Sequence, residues 1–244
     1  MSAVMAVFKR EFASYFATPL AAVFLVIFLM LAMAFTFYLG GFYEAGQADL
    51  QPFFRFHPWL YLLLAPAVAM RLWAEERKAG TLELLLTLPL GLWQAVLGKF
   101  LAAWAFLGLA LALTFPIWVT VAWLGDPDHG TILAAYLGSW LMAGAFLAIG
   151  SALSAATRSQ VVAFILTVLV CLLLLLAGFP MALDLVRGWA PQSWVDAFAG
   201  LSFLTHFHAI SRGVLDLRDV LYFLLSIAAW LTATVLVIDL KKAD

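Results

Sequence analysis

Five stretches of this chain contain no Asp, Glu, Lys, Arg or His: Pro19–Leu39, Phe100–Gly125, Thr131–Thr157, Ser159–Leu183 and Val220–Ile238. Each is long enough to cross a bilayer as a helix, which takes about 20 apolar residues for a core of about 30 Å. With 66% of residues apolar and 11% charged, and a mean hydropathy of +1.05, the chain is a polytopic integral membrane protein rather than a soluble one. Within lipid a spanning backbone must satisfy its own polar groups, so the fold class is all-α integral membrane.

Charge positions bound six transmembrane helices at about Pro19–Leu39, Pro52–Met70, Gln94–Leu124, Thr131–Ala156, Gln160–Ala182 and Asp219–Ile238. The second is confined between Arg55 and Arg71, which are expected to snorkel outward. The third contains Pro116, which should kink it. Between the last two, Ala197–Ser211 is apolar but reaches only about 22 Å as a helix, so 183–218 is expected to be an external re-entrant or interfacial region. Six spans with short loops use up the 244 residues, giving one transmembrane domain, 1–244. Residues 1–18 place Val4, Phe8, Phe12, Tyr15 and Phe16 at helical spacing, with Lys9, Arg10 and Glu11 elsewhere around the helix. This suits an N-terminal interfacial helix rather than a cleavable signal peptide.

An even number of spans puts both termini on one side. That side carries Lys9, Arg10, Arg71, Arg77, Lys78, Lys99, Arg158, Lys241 and Lys242, and the positive-inside bias makes it cytoplasmic. The opposite side holds Arg55, Arg187, Arg212 and Arg218 among eight acids.

The five charge-free stretches lack the titratable groups that a proton-coupled carrier or a charged channel filter uses at depth. No G-x-x-x-x-G-K-[ST] nucleotide loop occurs, since Gly98-Lys99 is followed by Phe100. No nucleophile, paired carboxylates or metal cluster marks the chain as an enzyme. His206 and His208 point apart on a helix and cannot easily share a metal, and the lone Cys171 has no partner. Energy for transport must therefore come from a separate subunit, which needs a cytosolic handle.

The segment Glu75-Glu76-Arg77-Lys78-Ala79-Gly80-Thr81-Leu82-Glu83-Leu84-Leu85-Leu86-Thr87-Leu88-Pro89 supplies one, inside a cytosolic loop at 71–93. Gly80 interrupts a helix, Thr81 is an N-cap candidate, Glu83 suits the first turn, and Pro89 stops continuation. Leu82, Leu85 and Leu86 share a face that would enter a groove on a partner, with Glu75, Glu76 and Arg77 at the rim. The competing reading is an interfacial loop helix whose leucines sit in lipid.

The run from Met70 to Pro89 resembles the signature of type 2 ABC exporter permeases, an E-E-R-x-x-G-T-x-E-x-L-L-x-x-P pattern after the second span. Leu204–Tyr222, with its Thr205-His206-Phe207-His208 and Arg212-Gly213-Val214-Leu215-Asp216-Leu217-Arg218-Asp219, resembles the gliding-motility (GldF-like) branch. Copper-enzyme-maturation permeases stand as an alternative.

The resemblance implies a cytosolic coupling helix contacting an ATP-binding-cassette ATPase dimer. It also implies a second permease subunit and an inner-membrane location. ATP and Mg would be held by the ATPase, with no cofactor on this chain and no nucleic acid partner. A large extracytoplasmic auxiliary protein would fit the gliding-type branch.

On the external side Arg212, Asp216, Arg218 and Asp219 are candidates for a gate or partner contact, although Asp216 and Asp219 also suit helix N-terminal chemistry. Gly144, Ala148, Ala152 and Ala156 form a small-residue stripe for close helix approach, within one subunit or between two. Tryptophans, including Trp59, Trp73, Trp93 and Trp140, are expected at span ends as interfacial anchors. Two readings stay open: a permease of an ATP-driven exporter, and a mechanotransmitter acting on an external partner without translocation.

Overall fold

The computed structural model describes residues 3–17, 19–82, 90–188 and 191–241. Among the described residues every regular element is helical. In chain order they are α1 (Ala3–Phe16), α2 (Leu20–Ala34) with a π-helical turn at Phe35–Leu39, α3 (Phe42–Ala45), α4 (Gln51–Arg55), α5 (His57–Ala69) and α6 (Ala74–Ala79). Then come α7 (Leu92–Ala112), α8 (Phe115–Leu124), α9 (His129–Ala156), α10 (Gln160–Leu176), α11 (Pro180–Arg187), α12 (Gln192–Ala199), α13 (Phe203–Ser211) and α14 (Leu217–Leu240).

Among the described residues four helical segments are long and apolar enough to cross a membrane: Ala21–Leu39, Leu92–Leu124, His129–Ala156 and Leu217–Leu240. These correspond to the first, third, fourth and sixth expected spans. The other two are broken. The second is divided into α4 and α5 at Phe56, with Pro52 and Pro58 each in the first turn of its helix, where a missing N–H costs nothing. The fifth stops at Leu176 after 17 residues and resumes as α11 from Pro180. The third is interrupted at Leu113-Thr114, just ahead of Pro116, which sits in the first turn of α8. Caps fix the starts of the long helices: Asp128 accepts from the Gly130 and Thr131 N–H groups at 2.9 and 3.1 Å, and Asp216 accepts from Arg218 N–H at 3.0 Å.

α9 is the axis of the bundle, touching α5, α6, α7, α10, α13 and α14. Its small residues explain why six neighbours fit. Trp104 of α7 and Trp140 of α9 stack at 4.2 Å, and each indole N–H donates to the other's backbone carbonyl, at 2.8 and 3.3 Å. Each ring also lies over a glycine of the opposite helix. A Cβ on Gly144 would meet Trp104 Nε1 at 2.7 Å, and one on Gly108 would meet Trp140 Nε1 at 2.9 Å. The stripe from Gly144 through Ala148 and Ala152 is thus covered within the chain. Trp73 packs inside rather than anchoring an interface, Trp140 is half-buried against Trp104, and Trp93 is exposed.

The outside of the bundle is apolar. Val23, Ile27 and Met30 of α2, Ile165 and Leu173 of α10, and Leu221, Leu225 and Leu236 of α14 are all exposed. Such continuous apolar flanks are what a lipid solvent requires. α13 does not lie loosely on the surface: Phe203, Phe207 and Ile210 are fully buried against α9, α10 and α14. A short helix that cannot span is therefore built into one end of the bundle.

Candidate coupling site

α6 begins where the chain turns at residues 71–73, and the turn is fastened to the axis. Ser154 of α9 accepts from the Trp73 and Ala74 N–H groups at 3.1 and 3.0 Å and donates to the Met70 carbonyl at 3.0 Å. The Trp73 indole donates to Ser151 one turn earlier at 3.0 Å. One hydroxyl thereby satisfies the first N–H of α6 and a carbonyl at the end of α5.

The charged cluster that follows divides by direction. Arg71 and Glu75 pair at 2.9 Å on the surface, and Lys78, Gly80 and Thr81 are exposed. Glu76 and Arg77 turn inward. Arg77 donates to the Ala155 carbonyl at 2.5 Å, and the Lys241 ammonium reaches the neighbouring Ala156 carbonyl, so two cations cover the negative end of the α9 dipole.

Glu76 meets Lys99 of α7 at 2.7 Å, and Glu11 of α1 meets the same ammonium at 3.1 Å. The Lys99 side chain is 4% exposed, against 17% for Glu11 and 18% for Glu76. The ammonium also stands 5.5 Å from the centre of the Trp73 ring, within cation–π range. Burial opposes ionisation of Glu11, but the charge of Lys99 and the hydrogen bonds from Arg10 and Lys99 outweigh it and hold its carboxyl below the usual range. Three segments far apart in sequence are thus joined at one buried charge. Beside them lies a hollow of about 90 Å³ lined by Glu11, Tyr15, Arg71 and Glu75.

Gly80 ends α6 with φ +69°, in the left-handed region, and its N–H returns to the Glu76 carbonyl. Thr81 is already helical, and its hydroxyl faces the Glu76 carbonyl at 3.4 Å. Leu82 packs into the core of the bundle. Glu83, Leu85, Leu86 and Pro89, with the short amphipathic helix expected there, lie outside the described residues.

Charge position alone makes Lys99 no more than a cytoplasmic-side cation. The further signal in the sequence is that a single lysine inside an apolar helix needs a buried partner.

At the other end of the bundle, Asp216 caps α14 and Arg218 is exposed, while Asp219 is buried and lies 2.6 Å from His206 Nδ1. His206 Nε2 faces the Gly200 carbonyl at 3.0 Å, so it must carry a proton there. The ring stacks on Tyr222 at 3.9 Å. His208 points elsewhere, to a hollow with Arg55 and Arg212. Arg212 and Asp216 do not pair, because α13 stops at Ser211 and the chain leaves it through a turn.

A family model described as ABC-2 family transporter protein matches residues 5–240. The chain belongs to that family. No curated protein matches the sequence. ABC-2 chains are typically non-catalytic multi-pass membrane subunits that work with an ATP-binding-cassette partner. For this ABC-2 chain, the match extends from α1 to the end of α14 and so takes in Glu11, Glu76 and Lys99 together.

Proposed function

We propose that this chain is the permease subunit of an ATP-driven exporter in the bacterial inner membrane, crossing it six times with both termini in the cytosol. The two broken segments, α4–α5 and α10–α11, serve as the second and fifth spans. ATP and Mg are held by a separate cassette dimer, and a second permease copy completes the path.

The observation that carries this reading is the Glu76–Lys99–Glu11 junction, placed directly ahead of Gly80. A docking element at 81–89 is useful only if the segment preceding it is fixed to the bundle. α6 is fixed twice, through Ser154 and through Lys99. Glu76 and Arg77 then act inside the permease, transmitting displacement, while Leu85 and Leu86 supply the apolar contact with the ATPase.

The test separates these roles. Replacing Leu85 and Leu86 by Ser should release a co-purifying cassette ATPase. Glu76→Gln should retain the ATPase but weaken its stimulation by cargo. Retention of a normally coupled ATPase by the Leu85/Leu86 double variant would sink the docking assignment.

A second reading has its own support. The turn before α14 exposes Val214, Leu215 and Leu217 beside Asp216 and Arg218, a surface suited to an extracytoplasmic partner. It accords with a gliding-type mechanotransmitter. ATP-dependent release of a labelled cargo from reconstituted vesicles containing only permease and ATPase would exclude it.

A further inference from the structure

Two adjoining hollows open at the end of the bundle opposite α6, and their chemistry differs. One, of about 360 Å³, is lined by Asp49, Gln51, Arg55, His208 and Arg212. The other, of about 660 Å³, shares Arg55 and His208 with it but is otherwise walled by Leu39, Phe56, Trp59, Phe179 and Leu204. A polar chamber carrying two guanidinium groups thus leads directly into an apolar, aromatic one.

The segments that bear the two exposed arginines are tied together. Gln51, at the start of α4, donates through its side chain to the Ser211 carbonyl at 2.8 Å. Arg55 is the last residue of α4 and Arg212 follows Ser211, so this bond ties the two segments that bear them. Among the described residues neither guanidinium has an ion-pair or hydrogen-bond partner. Asp49 is the one carboxylate lining the polar chamber, and it accepts from the Gln51 N–H at 3.0 Å. Burial, with Arg212 and Arg55 nearby, pushes the His208 imidazole below its ordinary range, so the site's positive charge rests on the arginines.

We propose that the joined hollow binds an anionic phospholipid. Its phosphate lies between Arg55 and Arg212, and its hydrocarbon lies along Phe56, Trp59, Phe179 and Leu204. Guanidinium groups recognise phosphate through paired charge-assisted hydrogen bonds. The apolar chamber begins at Leu39, an exposed residue at the end of the apolar α2, which gives a chain entering from lipid a continuous apolar route. The site depends on this end of the bundle alone, so it stands or falls separately from the exporter reading.

The full chain, purified in an uncharged maltoside detergent, is titrated with dihexanoyl phosphatidylglycerol, dihexanoyl phosphatidylcholine and inorganic phosphate, with bound ligand read by native mass spectrometry. Phosphatidylglycerol should bind best. Arg55→Gln and Arg212→Gln should each weaken it roughly tenfold or more, the scale of one charge-assisted hydrogen bond. Trp59→Ala should weaken it while keeping its salt dependence, and Arg187→Gln, on an exposed pair with Asp184, should leave it unchanged.

Equal binding of the two lipids, indifference to both arginine substitutions, or inorganic phosphate binding as tightly as phosphatidylglycerol would each overturn the proposal. Salt titration of the unaltered chain gives an answer even if a variant fails to fold. Affinity for phosphatidylglycerol must fall with ionic strength while that for phosphatidylcholine does not, and parallel behaviour overturns the site.

Discussion

Lys99 Nζ lies 2.7 Å from Glu76 Oε1, with almost none of the lysine side chain in contact with solvent. The acid at the head of the docking segment therefore faces the bundle, leaving Glu75 and Lys78 as the outward charges of α6. Because Glu11 holds the same ammonium, movement of α6 cannot leave α1 undisturbed.

Removing that ammonium should cost more than replacing the junction as a whole. Lys99→Met leaves Glu76 without its cation and Glu11 with Arg10 alone, and breaking a buried ion pair in this way costs about 3–5 kcal/mol. Lys99→Met combined with Glu11→Gln and Glu76→Gln should recover much of that loss. Thermal unfolding of the purified chain in detergent, followed by circular dichroism, checks both. A triple variant no more stable than the single one contradicts the assignment.

The junction should also be acid-sensitive. The folded-state pKa of Glu11 lies below its ordinary value of 4.5, so the unfolded chain takes up a proton first as pH falls. The resulting stability is fully present above 4.5 and disappears as pH drops through the lower folded value. Glu11→Gln should lower stability near neutral pH and flatten its decline between about pH 5 and 3. An unchanged acid slope in the variant counts against it.

The first, third, fourth and sixth spans were legible from sequence as long apolar helical runs, and the interruption of the third falls just ahead of Pro116. The divided second and fifth spans were harder to read. Hydropathy runs on through Leu176–Phe179, and Arg55, His57 and Pro58 around Phe56 mark an irregular stretch without showing which residue ends the helix, so the stops are set by packing. The charges of the proposed docking segment were plain in the sequence, but their directions were not. Glu75 and Glu76 are adjacent and identical in chemistry, and only Lys99 on another helix separates an outward acid from an inward one. Asp219 was hidden in the same way by its neighbour Asp216: one caps a helix, and the other meets a histidine thirteen positions back.

Those two aspartates should separate in a stability assay. Asp216→Ala removes a cap and should cost about 1 kcal/mol. Asp219→Ala strips His206 of its buried partner and should cost more, about 3 kcal/mol or above. His206→Gln made together with Asp219→Asn should be less than additive in a double-mutant cycle. Strict additivity would show that the two side chains act independently.

The crossing of α7 and α9 permits a sharper steric test. Gly144→Ala places a methyl group against the Trp104 indole and should cost about 1–3 kcal/mol through overpacking. Trp104→Phe in the same chain should restore part of the loss, since the smaller ring vacates the contact. Failure of that rescue, measured as the midpoint of thermal unfolding, would show that the strain lies elsewhere.

From Gly138 to Ala155 α9 presents almost no surface to anything outside the chain, while Leu133 and Leu137 nearer its start are exposed. In the proposed permease a part enclosed in this way acts as the stator. Any working stroke must be carried by elements with one free flank: α2, whose outer face is bare, and α1, held to α7 by close packing and a shared charge. Force arriving at α6 through Ser154 would then turn the outer helices about a stationary centre, so the path for cargo would open along the rim of the bundle rather than down its middle.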